Sequence, residues 1–195
     1  MIMNFFGVFF RKMSILKYKK QSIIFLLLFA MISPSYGKIY YSKNEAMELA
    51  FGKDAVVEML SLFPTEEQLV QIEKLARVKM ESALYTFYIG KKDGEILGYA
   101  AIENHRVRTK PETLLVLLTP EGKVKVIHTL AFHEPPEYQP PQRWYQQLYN
   151  LEIDQISFRE DIQGITGATL STRSALNITR KVLAIYQIMV KEKQD

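Results

Sequence analysis

The residues best suited to chemistry lie together in one short stretch, Gly164-Ile-Thr-Gly-Ala-Thr-Leu-Ser-Thr-Arg173. Its glycines, Gly164 and Gly167, allow a tight backbone turn and a close approach to a ligand. A helix predicted to begin near Thr169 would direct unpaired N–H groups and a partial positive charge at this point, and Arg173 adds a fixed charge. Four side-chain hydroxyls cluster here, those of Thr166, Thr169, Ser171 and Thr172. A phosphate would be stabilised by such a site, although Gly and Thr before a helix are also typical of a cap that binds no ligand.

Thr166-Gly-Ala-Thr169, followed by Leu170 and an amphipathic C-terminal segment, resembles the flavinylation motif of the FMN-binding domain family. This family includes the flavoprotein subunits of Rnf and sodium-translocating NADH:quinone reductase complexes, and its motif reads Asp-x-x-Ser/Thr-Gly-Ala-Thr/Ser. The resemblance implies that Thr169 carries FMN through a phosphoester bond, installed outside the cytoplasm by an FAD-dependent flavin transferase. The residues that it implies around the phosphate are Gly164, Thr166, Gly167, Ala168, Leu170 and Arg173.

One position departs from the family pattern. Gln163 stands where the family has its Asp, and the nearest acidic residue is Asp161, two places further upstream. If the transferase recognises that Asp, loading would be slow or absent, and FMN would be bound without a covalent bond or not at all.

A proline-rich, aromatic segment, residues 132–149, precedes the motif and offers contacts for the flavin ring. Tyr138, Trp144 and Tyr145 are candidates to stack on the ring, and His133 or Glu134 could hydrogen-bond its edge. Of these, Trp144 and Glu134 are the preferred cofactor-binding residues. The competing interpretation is that aromatic residues beside prolines pack against the sheet.

The remaining pattern predicts an α+β fold, a small antiparallel sheet of two hairpins flanked by N-terminal helices and a long C-terminal helix. Ser42 with Glu45, and Thr65 with Gln68, indicate the starts of two helices. The predicted strands occupy residues 85–89, 96–102, 113–118 and 123–130, with Gly-containing turns inside each pair. The long helix is predicted over residues 170–191, where apolar residues recur at helical spacing.

The first 37 residues have the features of a secretory signal. Basic residues at 17–20 precede an apolar run of about eleven residues, 22–32, and then small residues up to Gly37. Because a membrane-spanning helix needs about 20 apolar residues, removal after Gly37 is favoured over retention as an anchor through residues 22–32. Either outcome places residues 38–195, the predicted FMN-binding domain, in the periplasm or on the extracytoplasmic side of a membrane.

Composition and charge exclude several classes of function. The 195-residue chain is 48% hydrophobic and 24% charged, as in one ordinary globular domain. It has no cysteine, which excludes disulfides, thiolate metal sites and cysteine nucleophiles. The net charge of +4 arises from the first 37 residues, because residues 38–195 hold 20 basic and 21 acidic residues. A nucleic-acid binder would carry positive charge on its folded domain, so nucleic acid is not an expected partner.

Together with the export signal, the resemblance to the FMN-binding domain family implies an exported flavoprotein that passes electrons between a quinone- or NADH-linked membrane donor and another exported redox protein. No dinucleotide-binding glycine motif, metal-ligand spacing or serine-hydrolase elbow indicates a second cofactor or a catalytic centre. The alternative is an exported interaction or ligand-binding module without a cofactor, which would use the proline-rich segment as its surface. A hydrolase using Thr169 or Ser171 with His133 as base is disfavoured because no orienting residue stands at a recognisable spacing.

Overall fold

An antiparallel sheet forms the centre of the part of the chain that the structure describes. The computed structural model covers residues 37–157 and 162–191 in describable form. Its strands are β1 (Lys38–Ile39), β2 (Val56–Leu62), β3 (Tyr85–Lys92), β4 (Glu95–Arg106), β5 (Pro111–Leu118) and β6 (Val124–Phe132). Their order across the sheet is β1-β6-β5-β4-β3-β2, so β2 to β6 form a meander and β1 returns beside β6. The predicted α+β class is confirmed.

The predicted hairpins are β3–β4 and β5–β6, but the sheet has six strands instead of the four expected. β1 was missed because two residues are too few to display a period. β2 was missed because apolar side chains occupy both of its faces, which removes the period-two alternation. The two additional strands lie at the two edges of the sheet.

Helices pack on both faces of this sheet. They are α1 (Lys43–Phe51), α2 (Glu66–Ala76), α3 (Gln142–Tyr145) and α4 (Thr169–Met189). Single 3-10 turns occupy Pro136–Tyr138, Gln146–Leu148 and Ile153–Gln155. The larger core lies between β2–β6 and the helices α2, α3 and α4, and a smaller core lies under α1 on the opposite face.

The predicted helix starts are confirmed by complete capping boxes. Ser42 Oγ accepts a hydrogen bond from the Glu45 N–H at 3.3 Å, and the Glu45 carboxylate accepts one from the Ser42 N–H at 2.7 Å. Thr65 and Gln68 exchange the equivalent bonds at 3.2 and 3.0 Å at the start of α2. The first turn of each helix therefore has a side-chain partner within its own sequence.

α4 is the principal helix of the larger core. Its predicted apolar stripe is buried, and it includes Leu176, Val182, Leu183, Tyr186 and Val190. The Tyr186 hydroxyl donates to the Pro120 carbonyl at 2.6 Å, which attaches the C-terminal half of α4 to the β5–β6 turn. This packing holds the start of α4, and with it the motif, against the sheet.

The predicted signal or anchor lies, apart from Gly37, outside the described residues. Among residues 37–157 and 162–191, no helix combines the length and apolar character needed to cross a membrane.

Candidate functional site

The start of α4 differs from the starts of α1 and α2 because no side chain caps it. Its N-cap residue is Ala168, which has no hydrogen-bonding side chain. The helical ladder opens with the Thr172 N–H donating to the Ala168 carbonyl at 3.0 Å. The N–H groups of Thr169, Leu170 and Ser171 precede that bond and have no partner inside the helix. The sequence also allowed an ordinary capped helix start, but among the described residues no side chain caps α4.

A tight turn delivers the chain into this uncapped start. The Ala168 N–H donates to the Ile165 carbonyl at 3.0 Å, and Thr169 Oγ1 donates to the same carbonyl at 3.3 Å. Gly167 adopts a φ of +87°, a conformation that glycine reaches without strain. Thr169 is consequently exposed, with its hydroxyl held by one long hydrogen bond.

Trp144 holds the chain just before the turn in place through a hydrogen bond to its backbone. Its Nε1 donates to the Gln163 carbonyl at 2.6 Å, and the Gln163 N–H donates to Gln147 Oε1 at 2.9 Å. The Trp144 ring is buried in the larger core, edge-on to Tyr145, whose hydroxyl pairs with Thr129 Oγ1 at 3.1 Å. The structure therefore places Trp144 and Tyr145 outside the cavity described below, because each indole or phenol group finds its partner within the fold.

A cavity of about 180 Å³ opens beside the start of α4. Its lining residues are Val107, Arg108, Glu134, Tyr138, Gly167, Thr169, Leu170 and Ser171. Five of the residues proposed from the sequence therefore line one cavity, namely Thr169, Gly167, Leu170, Glu134 and Tyr138. The other candidates do not line the cavity: Gly164, Thr166 and Arg173 are exposed, and Ala168 is buried beneath the first turn.

Glu134 organises the loop opposite the start of α4. It is only 4% exposed, and Oε1 accepts hydrogen bonds from the N–H groups of Arg108 (3.2 Å), Thr109 (2.6 Å) and Lys110 (2.8 Å). Burial raises the pKa of this carboxyl, but the backbone donors of the loop, led by Lys110, outweigh it, so the pKa lies below the ordinary value. An ionised Glu134 therefore fixes the loop that presents Arg108, and its carboxylate is engaged with this loop instead of being free for a flavin edge.

Arg108 is a lining residue whose place in the site the sequence did not indicate, whereas Ser171 belongs to the hydroxyl cluster of the motif stretch. Only the folding of the 107–110 loop over Glu134 brings Arg108 to the cavity. Ser171 is 1% exposed, and its Oγ has no hydrogen-bond partner among the described residues. An unpartnered buried hydroxyl in the lining of a cavity is costly unless a ligand or water satisfies it.

The histidines lie elsewhere. None of His105, His128 and His133 lines the cavity, so the structure does not place His133, the base of the hydrolase alternative, beside Thr169 or Ser171. Burial lowers the pKa of half-buried His128, which instead lines a separate open groove of about 460 Å³.

Comparisons of the chain with protein-family models, with curated proteins and with solved structures find no match.

Proposed function

We propose that the protein is an exported flavoprotein that carries FMN on Thr169 and passes electrons in an extracytoplasmic chain. The observation that carries this proposal is the exposed Thr169 hydroxyl on the rim of a cavity built around an uncapped helix start. Backbone N–H groups and the helix dipole at such a start favour a phosphate. The motif Thr166-Gly-Ala-Thr169 coincides with this position.

The donors in the cavity suit the phosphate end of FMN. Arg108 offers a fixed positive charge, Ser171 offers an unpartnered hydroxyl, and the first turn of α4 offers its N–H groups. The volume, about 180 Å³, is below the roughly 300–1,000 Å³ of pockets that enclose a whole ligand. The cavity therefore suits the phosphate and part of the sugar chain, with Tyr138 and Leu170 as apolar surface for the ring.

The flavin and the residues of the site would have separate roles. The flavin, when bound, supplies one- and two-electron redox chemistry. Thr169 would supply the oxygen of the phosphoester bond: the transferase would break the pyrophosphate of FAD, AMP would leave, and the Thr169 hydroxyl would lose its proton as its oxygen bonds the FMN phosphorus. Glu134 holds the loop that places Arg108 in the cavity lining. The expected partners are an FAD-dependent flavin transferase, a membrane or exported electron donor, and an exported acceptor.

The test is covalent loading of Thr169 variants. The full-length chain is exported to a bacterial periplasm together with a flavin transferase, denatured, separated on a gel and weighed by intact mass. We expect flavin fluorescence and one FMN increment in the wild type and in Thr169→Ser, and at least a tenfold loss in Thr169→Ala. Ser61→Ala is the matched control, because it removes an exposed hydroxyl of β2 that belongs neither to the motif nor to the cavity lining.

A Thr169→Ala protein that keeps its fluorescence after denaturation would place the bond elsewhere and contradict the proposal. Gln163→Asp restores the acidic residue of the family motif, and because the Gln163 side chain is exposed, we expect loading to stay equal or to rise. Reduced loading of this variant would mean that the motif alignment is wrong. A colourless wild type, with and without denaturation, would refute flavin binding.

A second candidate function is supported by the open groove of about 460 Å³. Its lining residues are Tyr40, Tyr41, His128, Thr129, Pro136, Gln139, Pro140, Pro141 and Gln142. This is the surface expected of the alternative, an exported interaction module, because proline-fixed aromatic surfaces lose little conformational entropy on binding. The same loading experiment separates the two functions, since the interaction module would remain colourless.

A further inference from the structure

A cluster of unsatisfied polar groups lies behind the cavity. Among the described residues, the buried side-chain nitrogen and oxygen atoms without a hydrogen-bond partner are Glu112 Oε1 and Oε2, Ser171 Oγ and Ser174 Oγ. Buried polar atoms nearly always have partners, and exceptions indicate a functional group or an internal water. These four atoms occupy one region, where the start of β5 meets the first two turns of α4.

The sheet register fixes the place of Glu112. Glu112 pairs with Phe132 of β6, and the pairing continues beyond β6, where the His133 N–H donates to the Pro111 carbonyl at 3.1 Å. Glu134 follows two residues after Phe132, the cross-strand partner of Glu112, and it lines the cavity. Glu112 is therefore separated from a residue of the cavity wall by one cross-strand pairing and two residues of chain.

Ser174 and Ser171 connect Glu112 with the cavity. Ser174 is 3% exposed and close enough to influence the Glu112 carboxyl. It lies three residues after Ser171 on α4, so the two hydroxyls are on the same side of the helix. Since Ser171 lines the cavity, a line of polar groups runs from the ligand site to a fully buried carboxyl.

Within residues 37–157 and 162–191, no basic side chain forms an ion pair with this carboxyl. Glu112 has 0% exposure and takes part in none of the ion pairs of the described residues. The titratable groups around it are Tyr145 of α3, His105 in the paired position of β4, and Glu134. Burial raises the pKa of Glu112 to about 7, although the nearby Ser174 hydroxyl lowers it somewhat. Burial, and then the Glu112 charge, in turn raise the pKa of Tyr145.

We propose that Glu112, Ser174 and Ser171 form a proton-binding site behind the cavity, at which Glu112 takes up a proton from solvent when an anionic ligand enters. The inference rests on the proposed function, because FMN phosphate is the anion. The phosphate would meet two buried carboxylates, Glu112 and Glu134, and the backbone donors of its loop keep Glu134 ionised. Like charges in a region of low dielectric repel each other strongly, and a proton on Glu112 removes one of these charges. The protonated carboxyl also gains a hydrogen to donate to Ser174 Oγ.

Calorimetric titration of the unloaded full-length chain tests this coupling. FMN and riboflavin are titrated at pH 7.5 in two buffers of different protonation enthalpy, and the difference in heat counts the protons. For the wild type we expect uptake of roughly half a proton with FMN and none with riboflavin, which lacks the phosphate. Glu112→Gln should bind FMN without this uptake. Glu121→Gln, the same change at an exposed carboxylate, should behave as the wild type.

Two further measurements keep the test informative if Glu112→Gln does not fold. For the wild type, net uptake should disappear at pH 5.5, where Glu112 is already protonated. Ser174→Ala should move the maximum of uptake to higher pH, because the hydroxyl that favours the ionised form is gone.

Each remaining outcome overturns a defined part of the proposal. Equal uptake in the wild type and in Glu112→Gln, or no uptake in either while both bind FMN, refutes the proton site and leaves the flavin function standing. A wild type that neither binds FMN nor becomes loaded by the transferase refutes the proposed function, and the proton site falls with it.

Discussion

At the scale of single residues, the site depends on side chains whose partners are backbone groups. Glu134 receives three backbone N–H donors, Trp144 holds the Gln163 carbonyl, and Thr172 Oγ1 donates to the Ala168 and Thr169 carbonyls at 3.2 and 3.0 Å. These hydrogen bonds between side chains and backbone fix the loop conformation without engaging the side-chain groups that would face the ligand. They leave Arg108, Ser171 and Thr169 available to the cavity.

Glu134→Gln tests the positioning role of Glu134. The amide keeps the volume and one acceptor oxygen but loses the charge that strengthens the bonds to the 108–110 loop. We expect the free energy of unfolding at pH 7 to fall by about 1–3 kcal/mol and the affinity for FMN to weaken as the loop that carries Arg108 loosens. Chemical denaturation and FMN titration measure the two effects.

The difference in the free energy of unfolding between the wild type and Glu134→Gln should depend on pH in one direction. Because the folded-state pKa of Glu134 is below the ordinary 4.5, the carboxylate contributes stability above that value and loses it as the pH falls through the folded-state pKa. The gap between the wild type and Glu134→Gln should therefore close in acid. Glu137→Gln, an exposed glutamate of the same loop, is the control, and an equal gap at all pH values would contradict the assigned role.

At the scale of elements, α4 is held in place by polar contacts as well as by its apolar stripe. Arg180 donates to the Ala76 carbonyl at 3.0 Å and to the Ile156 carbonyl at 3.3 Å. These bonds join α4 to the end of α2 and to the residue that follows the 3-10 turn Ile153–Gln155. Lys181 pairs with Glu103 of β4 at 2.6 Å. The helix that carries the motif is thus a rigid platform for the cavity.

Neighbouring backbone excludes a side chain at Gly98, in the sheet beneath α4. Gly98 of β4 has a φ of +146°, and a Cβ atom there would lie 2.2 Å from the Leu118 carbonyl oxygen of β5. Backbone crowding between two central strands cannot relax by side-chain rotation. We expect Gly98→Ala to lower the free energy of unfolding by about 2–4 kcal/mol, measured by chemical denaturation.

Gly94→Ala is the matched control for this prediction. Gly94 also has a positive φ, +85°, but a Cβ atom there would meet nothing within 4 Å. Its substitution should cost about 1 kcal/mol through conformational strain alone. Equal losses for the two variants would mean that the close approach of β4 and β5 does not limit stability.

At the scale of the whole molecule, the buried Glu112 makes stability depend on pH in the direction opposite to Glu134. The unfolded chain ionises Glu112 near pH 4.5, whereas the folded chain holds the proton up to about pH 7. Between these values the unfolded state binds fewer protons, so stability falls as the pH rises. The loss is complete above about pH 7 and amounts to about 3 kcal/mol.

Denaturation of the wild type and of Glu112→Gln across pH 4 to 9 measures this effect. The amide does not titrate, so its stability should decline less between pH 4.5 and 7, and the variant should be the more stable protein at pH 8. A variant that is less stable than the wild type at every pH by the same amount would mean that Glu112 is satisfied by a partner and does not titrate near neutrality.

Local sequence patterns determined the helices and the chemically competent stretch. The capping boxes at Ser42 and Thr65, the apolar stripe of α4 and the turn around Gly167 each depend on residues within one or two helical turns, and the structure contains them. The class of the fold followed for the same reason, since periods of two and of 3.6 residues are local properties.

Only the tertiary structure decided which side chains share the cavity. Arg108 and Glu134 reach Ser171 and Thr169 because β4, β5, β6 and α4 meet at one end of the sheet, and no local pattern encodes a meeting of residues so distant in the chain. The role of Trp144 was also decided by the tertiary structure. The proline-rich segment that contains Trp144 suggested that its ring stacks on a flavin, but its indole N–H instead supports the motif turn. The position of such a side chain depends on the whole fold, because a buried indole N–H or carboxylate needs a hydrogen-bond partner and the folded backbone determines where that partner lies.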